Sequence, residues 1–189
     1  MAETNEMMAT LQDVVAKLND LGTPYMITGS VAMSAYATAR TTMDIDVIVE
    51  IGPSEATRFA HAFQETYYVD ANSITRAQQY RSMFNVLNLE TGIKVDFIPR
   101  KPTDFENAKF ERRRSSKIGD ITFWVIGKED LILSKLEWAK DSHSEMQFRD
   151  IRNLIESGAD ETFLMKMVGE NGLKGVWEAF EKWKIQAAK

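Results

Sequence analysis

The chain has 189 residues, of which 44% are hydrophobic and 27% are charged, and its formal net charge is −5. This length and composition predict one globular domain with a sizeable core, and the negative charge does not favour a nucleic-acid-binding protein. The absence of cysteine excludes disulfides, and no signal-peptide pattern or bilayer-spanning apolar stretch occurs, so we expect a cytoplasmic protein without a membrane segment.

The first part of the chain alternates helical and strand patterns. Helices are indicated by apolar residues at helical spacing, and strands by short runs rich in β-branched residues. In chain order, the predicted elements are a helix over 6–21, a strand over 24–29, a helix over 31–39, a strand over 44–51 and a helix over 54–66.

The second part begins with hairpins and then becomes helical. A hairpin of strands 83–89 and 93–99 turns at Gly92, and a second hairpin turns at Gly119-Asp120. Further helices are predicted over 103–114, 129–140, 145–158, 160–169 and 174–187. This order predicts an α+β fold, in which a small mixed β-sheet with helices on one side forms a core over 1–127. A C-terminal helical region over 128–189 is expected to pack on that core.

Carboxylates stand out on two of the predicted strands. Asp44 and Asp46 are two residues apart, so they project from the same face, where they repel each other unless a cation is present. Asp96 lies in the middle of an apolar strand, where Asp is disfavoured. If strand 93–99 lies beside strand 44–51, the three carboxylates converge. That arrangement suits a two-metal Mg²⁺ site for phosphoryl or nucleotidyl transfer.

The pair Gly29-Ser30 lies between a predicted strand and a predicted helix. Glycine lets the backbone approach a ligand, and the unpaired N–H groups at the start of a helix attract phosphate. Ser30 is predicted to cap the helix when no ligand is bound and to donate a hydrogen bond to phosphate when one is.

Gly29-Ser30, the spacer 31–43 and the sequence Asp44-Ile45-Asp46 together resemble the signature of the DNA polymerase β-type nucleotidyltransferase superfamily. The context from Arg40 onward is most similar to small prokaryotic members such as the AbiEii-type toxins of toxin–antitoxin systems. The resemblance implies Mg²⁺-dependent transfer of a nucleoside monophosphate from an NTP to an acceptor in RNA, protein or a small molecule. The resemblance leaves open whether the protein binds a cognate antitoxin or another partner protein, and whether it forms an oligomer.

The resemblance also implies roles for individual residues. The catalytic and metal-binding set is Asp44, Asp46 and Asp96, with two Mg²⁺ ions, and the nucleotide-binding set is Gly29, Ser30, Arg40 and Lys135. Two departures leave questions open. Gly-Ser replaces the Gly-Gly that is usual in the AbiEii-like branch, and the later helical motif with Lys135, Arg149 and Asp150 is only partly recognisable.

Plainer interpretations of the same residues stay open. Arg40 is also read as a simple counter-ion of the aspartates, and Asp150 as the partner of a nearby basic residue on its helix. The basic cluster 109–117 is read as a solvated face or as a nucleic-acid contact. His61 and His143 lack metal-ligand spacing. Core and helix packing is predicted for Phe123, Trp124, Trp138, Trp177, Phe180 and Trp183.

Two other functions compete with transfer. One is a non-catalytic regulatory or antitoxin-like partner that binds NTP on the same fold. The other is a metal-dependent phosphohydrolase, which would need His or further Asp ligands near the aspartate pair, and the sequence has none there.

Overall fold

The structure is a computed structural model that describes residues 2–38, 42–52, 54–142 and 144–187. Two residues considered above, Arg40 and His143, lie outside the described residues. The helices are α1 Ala2–Leu21, α2 Gly29–Met33, α3 Ala56–Phe63, α4 Ala71–Tyr80, α5 Asp104–Glu111, α6 Lys128–Ser142, α7 Glu145–Glu156, α8 Glu161–Glu170 and α9 Lys174–Ala187. The strands are β1 Tyr25–Thr28, β2 Asp44–Val49, β3 Tyr67–Tyr68, β4 Phe84–Asn88, β5 Lys94–Pro99, β6 Arg114–Ile118 and β7 Ile121–Val125.

The strands form one mixed sheet in the order β3-β4-β5-β2-β1-β7-β6. Strand β2 runs parallel to β5, and β1 runs parallel to β7, while the other neighbouring pairs are antiparallel. Both hairpins predicted from glycine turns are present, since β4 pairs with β5 and β6 pairs with β7. The predicted fold class, an α+β fold with a mixed sheet followed by a helical region, is confirmed.

The two faces of the sheet have different environments. On the face that we call the core face, Val47 of β2 and Phe97 of β5 have no exposed surface. Helix α3 covers them, and the rings of Phe59 and Phe63 lie 5.0 and 5.5 Å from that of Phe97. The opposite face, which we call the cleft face, carries the side chains that alternate with these. The apolar residues that alternate with the carboxylates are therefore buried beneath α3, whereas the carboxylates share the cleft face with Ile48 and Ile98.

Helices of the C-terminal region reach the cleft face. Helix α6 contacts α2 near the middle of the sheet, and it also contacts α7, α8 and α9. Leu131 and Ser134 of α6 line a cavity together with Thr28 of β1 and Ile98 of β5. Among the helices of the described ranges, none has the length and apolarity that crossing a bilayer requires.

The helix predicted over 31–39 is shorter in the structure and ends at Met33. The chain then tightens into turns, in which the amide of Ser34 donates to the carbonyl of Val31 at 3.1 Å. The hydroxyl of Tyr36 donates to the carbonyl of Ile126 at 2.6 Å, which ties this segment to the end of β7. This long-range hydrogen bond favours the turn over continued helix.

Two elements of the structure, β3 and α4, are not among those predicted from the sequence. Helix α4 buries only Ile74 and Ala77, so its apolar pattern is weak. A local signal was nevertheless present, because the side chain of Asp70 accepts a hydrogen bond from the amide of Asn72 at 2.9 Å. Asp is one of the residues preferred at this capping position.

Candidate active site

The parallel pairing of β2 with β5 brings the predicted carboxylates together. In its register Asp46 stands opposite Asp96, and Asp44 stands opposite Lys94. On the other side of β2, Thr28 at the end of β1 stands opposite Asp46. Side chains at paired positions share a face, so Asp44, Asp46 and Asp96 all lie on the cleft face.

Asp46 occupies the centre of this group. Partial burial raises the pKa of the Asp46 carboxyl, and the negative charges of Asp96 and Asp44 raise it further. Lys135 and Lys94 act in the opposite direction, but they do not cancel the effect. The ionised form of Asp46 is therefore destabilised in the folded chain, and an added cation would relieve that cost.

A lysine that the sequence analysis did not select lies within the carboxylate group. The ammonium of Lys94 donates to Oδ2 of Asp96 at 2.6 Å and lies 3.5 Å from Oδ1 of Asp44. The hydrogen bond to Asp96 raises the pKa of Lys94, so the lysine stays charged. Lys94 shares this face with Asp96 because alternate residues of a strand project from the same face, but only the register shows that it faces Asp44.

Gly29, which directly follows β1, lies against the side chain of Asp46. Its φ of +64° lies in the left-handed region, and a Cβ at this position would overlap Oδ2 of Asp46 and lie 2.7 Å from its Cγ. Glycine is therefore required here for both conformation and space. Ser30 is buried within the helix, and the N-cap residue of α2 is Thr28, so the predicted capping role of Ser30 is wrong.

Lys135 of α6 lies above the same group rather than in solvent. Its ammonium donates to Oδ2 of Asp150 in α7 at 2.7 Å and to Oε1 of Gln147 at 3.3 Å. The side chains of Lys135 and Asp150 are only 6% and 5% exposed. Arg149, by contrast, is exposed and pairs with Glu145 on the surface of α7. Of the partly recognisable helical motif, the structure therefore brings Lys135 and Asp150 together and directs Arg149 away.

Replacing Asp150 with Asn should reduce the free energy of unfolding by about 3 kcal/mol, because it leaves the buried charge of Lys135 without its carboxylate. Urea unfolding measures the change. The matched control is Glu145→Gln on the same helix, which breaks the exposed pair with Arg149 and should cost less than about 0.5 kcal/mol. Equal losses in the two variants would mean that the buried pair contributes no more than a surface pair.

Two adjoining cavities form a cleft between the sheet and α6. The smaller cavity, about 190 Å³, is lined by the predicted site residues Gly29, Ser30, Asp44, Asp46 and Lys135 among others. The larger cavity, about 540 Å³, extends over the carboxyl ends of β2 and β5. The residues that line both cavities are Thr28, Ile98, Ser134 and Trp138.

Trp138 stands at the junction of the two cavities. The sequence analysis predicted it to be a core residue, but it is 63% exposed. Its position one turn after Lys135 on α6 places the indole along the cleft beyond the carboxylates. An exposed tryptophan at a cavity mouth offers a flat apolar surface for a ring-shaped ligand.

Much of the basic cluster 109–117 serves the fold. Lys109 is buried, and its ammonium lies 2.7 Å from Oε1 of Glu106. Arg112 makes two hydrogen bonds to Asp130, at 2.6 and 3.0 Å. These residues are occupied by internal partners, so the cluster does not form a continuous free basic face.

Sequence comparison assigns the family. A family model described as "Nucleotidyl transferase of unknown function (DUF2204)" matches residues 7–167, which include the sheet and the helices over the cleft. The chain belongs to this family. The prediction of an enzyme of the nucleotidyltransferase type is thereby confirmed, whereas the family description leaves the substrates unspecified. No curated protein matches the chain.

Solved structures of nucleotidyltransferases are similar to this chain in fold. A candidate nucleotidyltransferase from Thermotoga maritima has 16% identity and a TM-score of 0.54, and the match covers 75% of this chain and 90% of that one. ANT(2'')-Ia in complex with adenylyl-2''-tobramycin has 12% identity and a TM-score of 0.55, covering 96% and 99%. The lincosamide antibiotic adenylyltransferase LnuA, bound to lincomycin, has 15% identity and a TM-score of 0.50, covering 79% and 94%. At these identities the similarity establishes the fold alone.

Proposed function

We propose that the protein transfers a nucleoside monophosphate from an NTP to an acceptor hydroxyl or amine in the cleft, with Mg²⁺ as the metal. The observation that carries this proposal is the parallel register of β2 and β5, which sets Asp44, Asp46 and Asp96 on one face beside the Gly29 turn. Family membership supplies the reaction type. The register supports the carboxylate group as the site of that reaction.

The residues at this place suit a single Mg²⁺. In the described ranges no group of three or more Asp, Glu, His or Cys side chains is close enough to hold a metal ion. Asp44 and Asp46 are a pair, and Mg²⁺ is commonly held by one or two carboxylates together with substrate phosphates. Burial and the charges of Asp96 and Asp44 raise the pKa of Asp46, and a cation bound at this pair would offset them. Bound there, Mg²⁺ would neutralise charge on the phosphates and on the leaving pyrophosphate.

The protein residues would bind, orient and move a proton. Gly29 and Ser30 approach the triphosphate, and Lys135, which lines the same cavity, is its cationic partner. Asp96 accepts the proton from the acceptor as the acceptor oxygen or nitrogen forms a bond to the α-phosphorus. The bond from that phosphorus to the bridging oxygen breaks, and pyrophosphate leaves. Arg40 is kept as a second anion partner, although it lies outside the described residues.

The proposal also extends to the class of acceptor and to the biological role. The two antibiotic-modifying structures described above share the fold and suggest a small hydroxyl-bearing acceptor. The AbiEii-like context of the motif suggests instead a toxin that modifies RNA or protein and is restrained by an antitoxin in the cytoplasm. We place the small molecule first, because the structures of LnuA and ANT(2'')-Ia described above contain lincomycin and adenylyl-2''-tobramycin, which are both small molecules.

Incubation with α-³²P-labelled NTPs and Mg²⁺ tests the proposal. Separate reactions contain a small-molecule library, total RNA or cell protein, and both label transfer and pyrophosphate release are measured. Label on one acceptor fraction, with an equal amount of pyrophosphate, is the expected result. NTP binding without pyrophosphate release in every fraction would instead favour the non-catalytic partner, and release of inorganic phosphate alone would favour a phosphohydrolase.

Trp138 should provide a surface on which the nucleobase of the NTP stacks. Replacing it with Ala should weaken ATP binding about tenfold, since stacking a base on an aromatic side chain contributes about 1–3 kcal/mol. Binding of inorganic tripolyphosphate, which lacks the nucleoside, should stay the same. Isothermal titration calorimetry in Mg²⁺ measures both dissociation constants.

The control for this experiment is Trp124→Ala, because Trp124 is also exposed, at 43%, but lies on β7 and lines neither cavity of the cleft. It should change neither affinity. A Trp138→Ala variant that binds ATP as tightly as the parent would place the nucleoside elsewhere. Equal weakening for ATP and tripolyphosphate would point to a general disturbance of the cleft.

A further inference from the structure

Lys94 lies within the group of three carboxylates on the cleft face. Its ammonium lies between the two outer carboxylates, 2.6 Å from Oδ2 of Asp96 and 3.5 Å from Oδ1 of Asp44. The register explains this position, because Lys94 stands opposite Asp44 and is two residues from Asp96 on the same face of β5. The lysine is thus built into the sheet at the carboxylate group.

Asp96 depends on this lysine for compensation of its charge. Its side chain is only 7% exposed, and Lys94 is its one ion-pair partner among the described residues. Within the same part of the chain, the second carboxylate oxygen, Oδ1, is buried and has no hydrogen-bond partner. A buried carboxylate needs a paired cation, so removing the ammonium would leave a strong site for another one.

The charges agree with one metal ion rather than two. Asp44, Asp46 and Asp96 carry three negative charges, and Lys94 supplies one positive charge at the group. One divalent cation would bring the protein side of the site to neutrality. A second would have to bind beside Asp96, next to an ammonium of the same sign of charge.

We propose that Lys94 is a positioning residue that replaces the second metal ion, so that the enzyme works with one divalent cation at Asp44 and Asp46 while Lys94 holds Asp96. This inference rests on the proposed nucleotidyl transfer and replaces the two-ion site predicted from the sequence. It assigns Asp96 an ammonium partner, which orients the carboxylate for proton transfer, in place of a metal.

The test is to count the metal ions bound by the full chain. Mn²⁺ is titrated in the presence of α,β-methylene-ATP, which binds as a triphosphate but cannot transfer its nucleoside monophosphate. Electron paramagnetic resonance of free Mn²⁺ gives the number bound, corrected for nucleotide alone. The parent chain should bind one Mn²⁺ in the complex, and Lys94→Ala should bind two.

Two further variants complete the design. Lys94→Arg keeps the positive charge and should still bind one ion. Lys117→Ala removes an exposed lysine of β6 that lines neither cavity of the cleft and forms none of these contacts, and it should also leave the count at one. Circular dichroism checks folding, and Lys94→Gln replaces the alanine variant if that chain does not fold.

The possible results separate the inference from the function on which it rests. Two ions in the parent chain, or one ion in the neutral Lys94 variants, would overturn the role of Lys94 while leaving nucleotidyl transfer intact. A parent chain that binds neither the nucleotide nor Mn²⁺ would overturn the proposed function itself, and the role of Lys94 with it.

Discussion

Asp46→Asn should lower nucleotidyl transfer by at least about 1,000-fold, which corresponds to about 4 kcal/mol of transition-state stabilisation. The reason is its central position, since Asp46 faces Asp96 across the strand pair and lines the cavity with Gly29 and Lys135. Asparagine fills the same space but carries no charge to hold a divalent cation. The α-³²P transfer assay measures the loss, and binding of Mn²⁺ with the ATP analogue should weaken in parallel.

The same substitution should leave the chain folded and raise its melting temperature at neutral pH. Burial raises the pKa of Asp46 above the unfolded value, so the ionised group opposes folding. That opposition is absent at pH values below the unfolded pKa of about 3.9 and grows as the pH rises toward the folded pKa. The difference in melting temperature between Asp46→Asn and the parent should therefore increase from acid to neutral pH.

Asp120→Asn is the matched control, because Asp120 lies exposed in the turn between β6 and β7. It should change neither transfer nor the pH dependence of melting. If Asp46→Asn retained parental activity, the placement of the metal on Asp46 would be wrong. If it melted below the parent at neutral pH, the carboxylate would be stabilising the fold, and the cost assigned to its burial would be incorrect.

The sequence could predict the two faces of the central strands because alternation is a local property. In Asp44-Ile45-Asp46 and again around Asp96, polar and apolar residues alternate, and the structure separates them onto opposite faces. The sequence could not establish that β2 and β5 are neighbours in the sheet. Their parallel pairing depends on the connecting chain, including α3, α4 and β3, which returns to the end of the sheet at which β2 begins.

Features that the sequence could not predict depend on contacts between distant segments. The contact of Lys94 with Asp44 requires the exact register, because a shift of one residue would send the lysine to the core face. The exposure of Trp138 depends on how α6 crosses the sheet, since the helical pattern alone is also compatible with burial. The early end of α2 depends on a hydrogen bond from Tyr36 to Ile126.

Gly29→Ala should reduce transfer by about 100-fold or more, although Gly29 contributes no side chain to the reaction. The added Cβ would overlap the carboxylate of Asp46, including its Cγ at 2.7 Å, so this side chain must move. Displacing a reacting arrangement by about 1 Å can cost about 100-fold in rate. The substitution also places alanine at a φ of +64°, which should reduce the free energy of unfolding by about 1 kcal/mol.

Gly92→Ala separates these two effects. Gly92 has a φ of +69°, close to that of Gly29, but nothing lies within 4 Å of a Cβ at that position. Gly29→Ala should therefore lose at least as much stability as Gly92→Ala in urea unfolding, while only Gly29→Ala should lose activity and metal affinity. Equal loss of activity in both would attribute the effect to backbone strain. Full activity in Gly29→Ala would mean that the contact between the turn and Asp46 does not determine where the carboxylate lies during transfer.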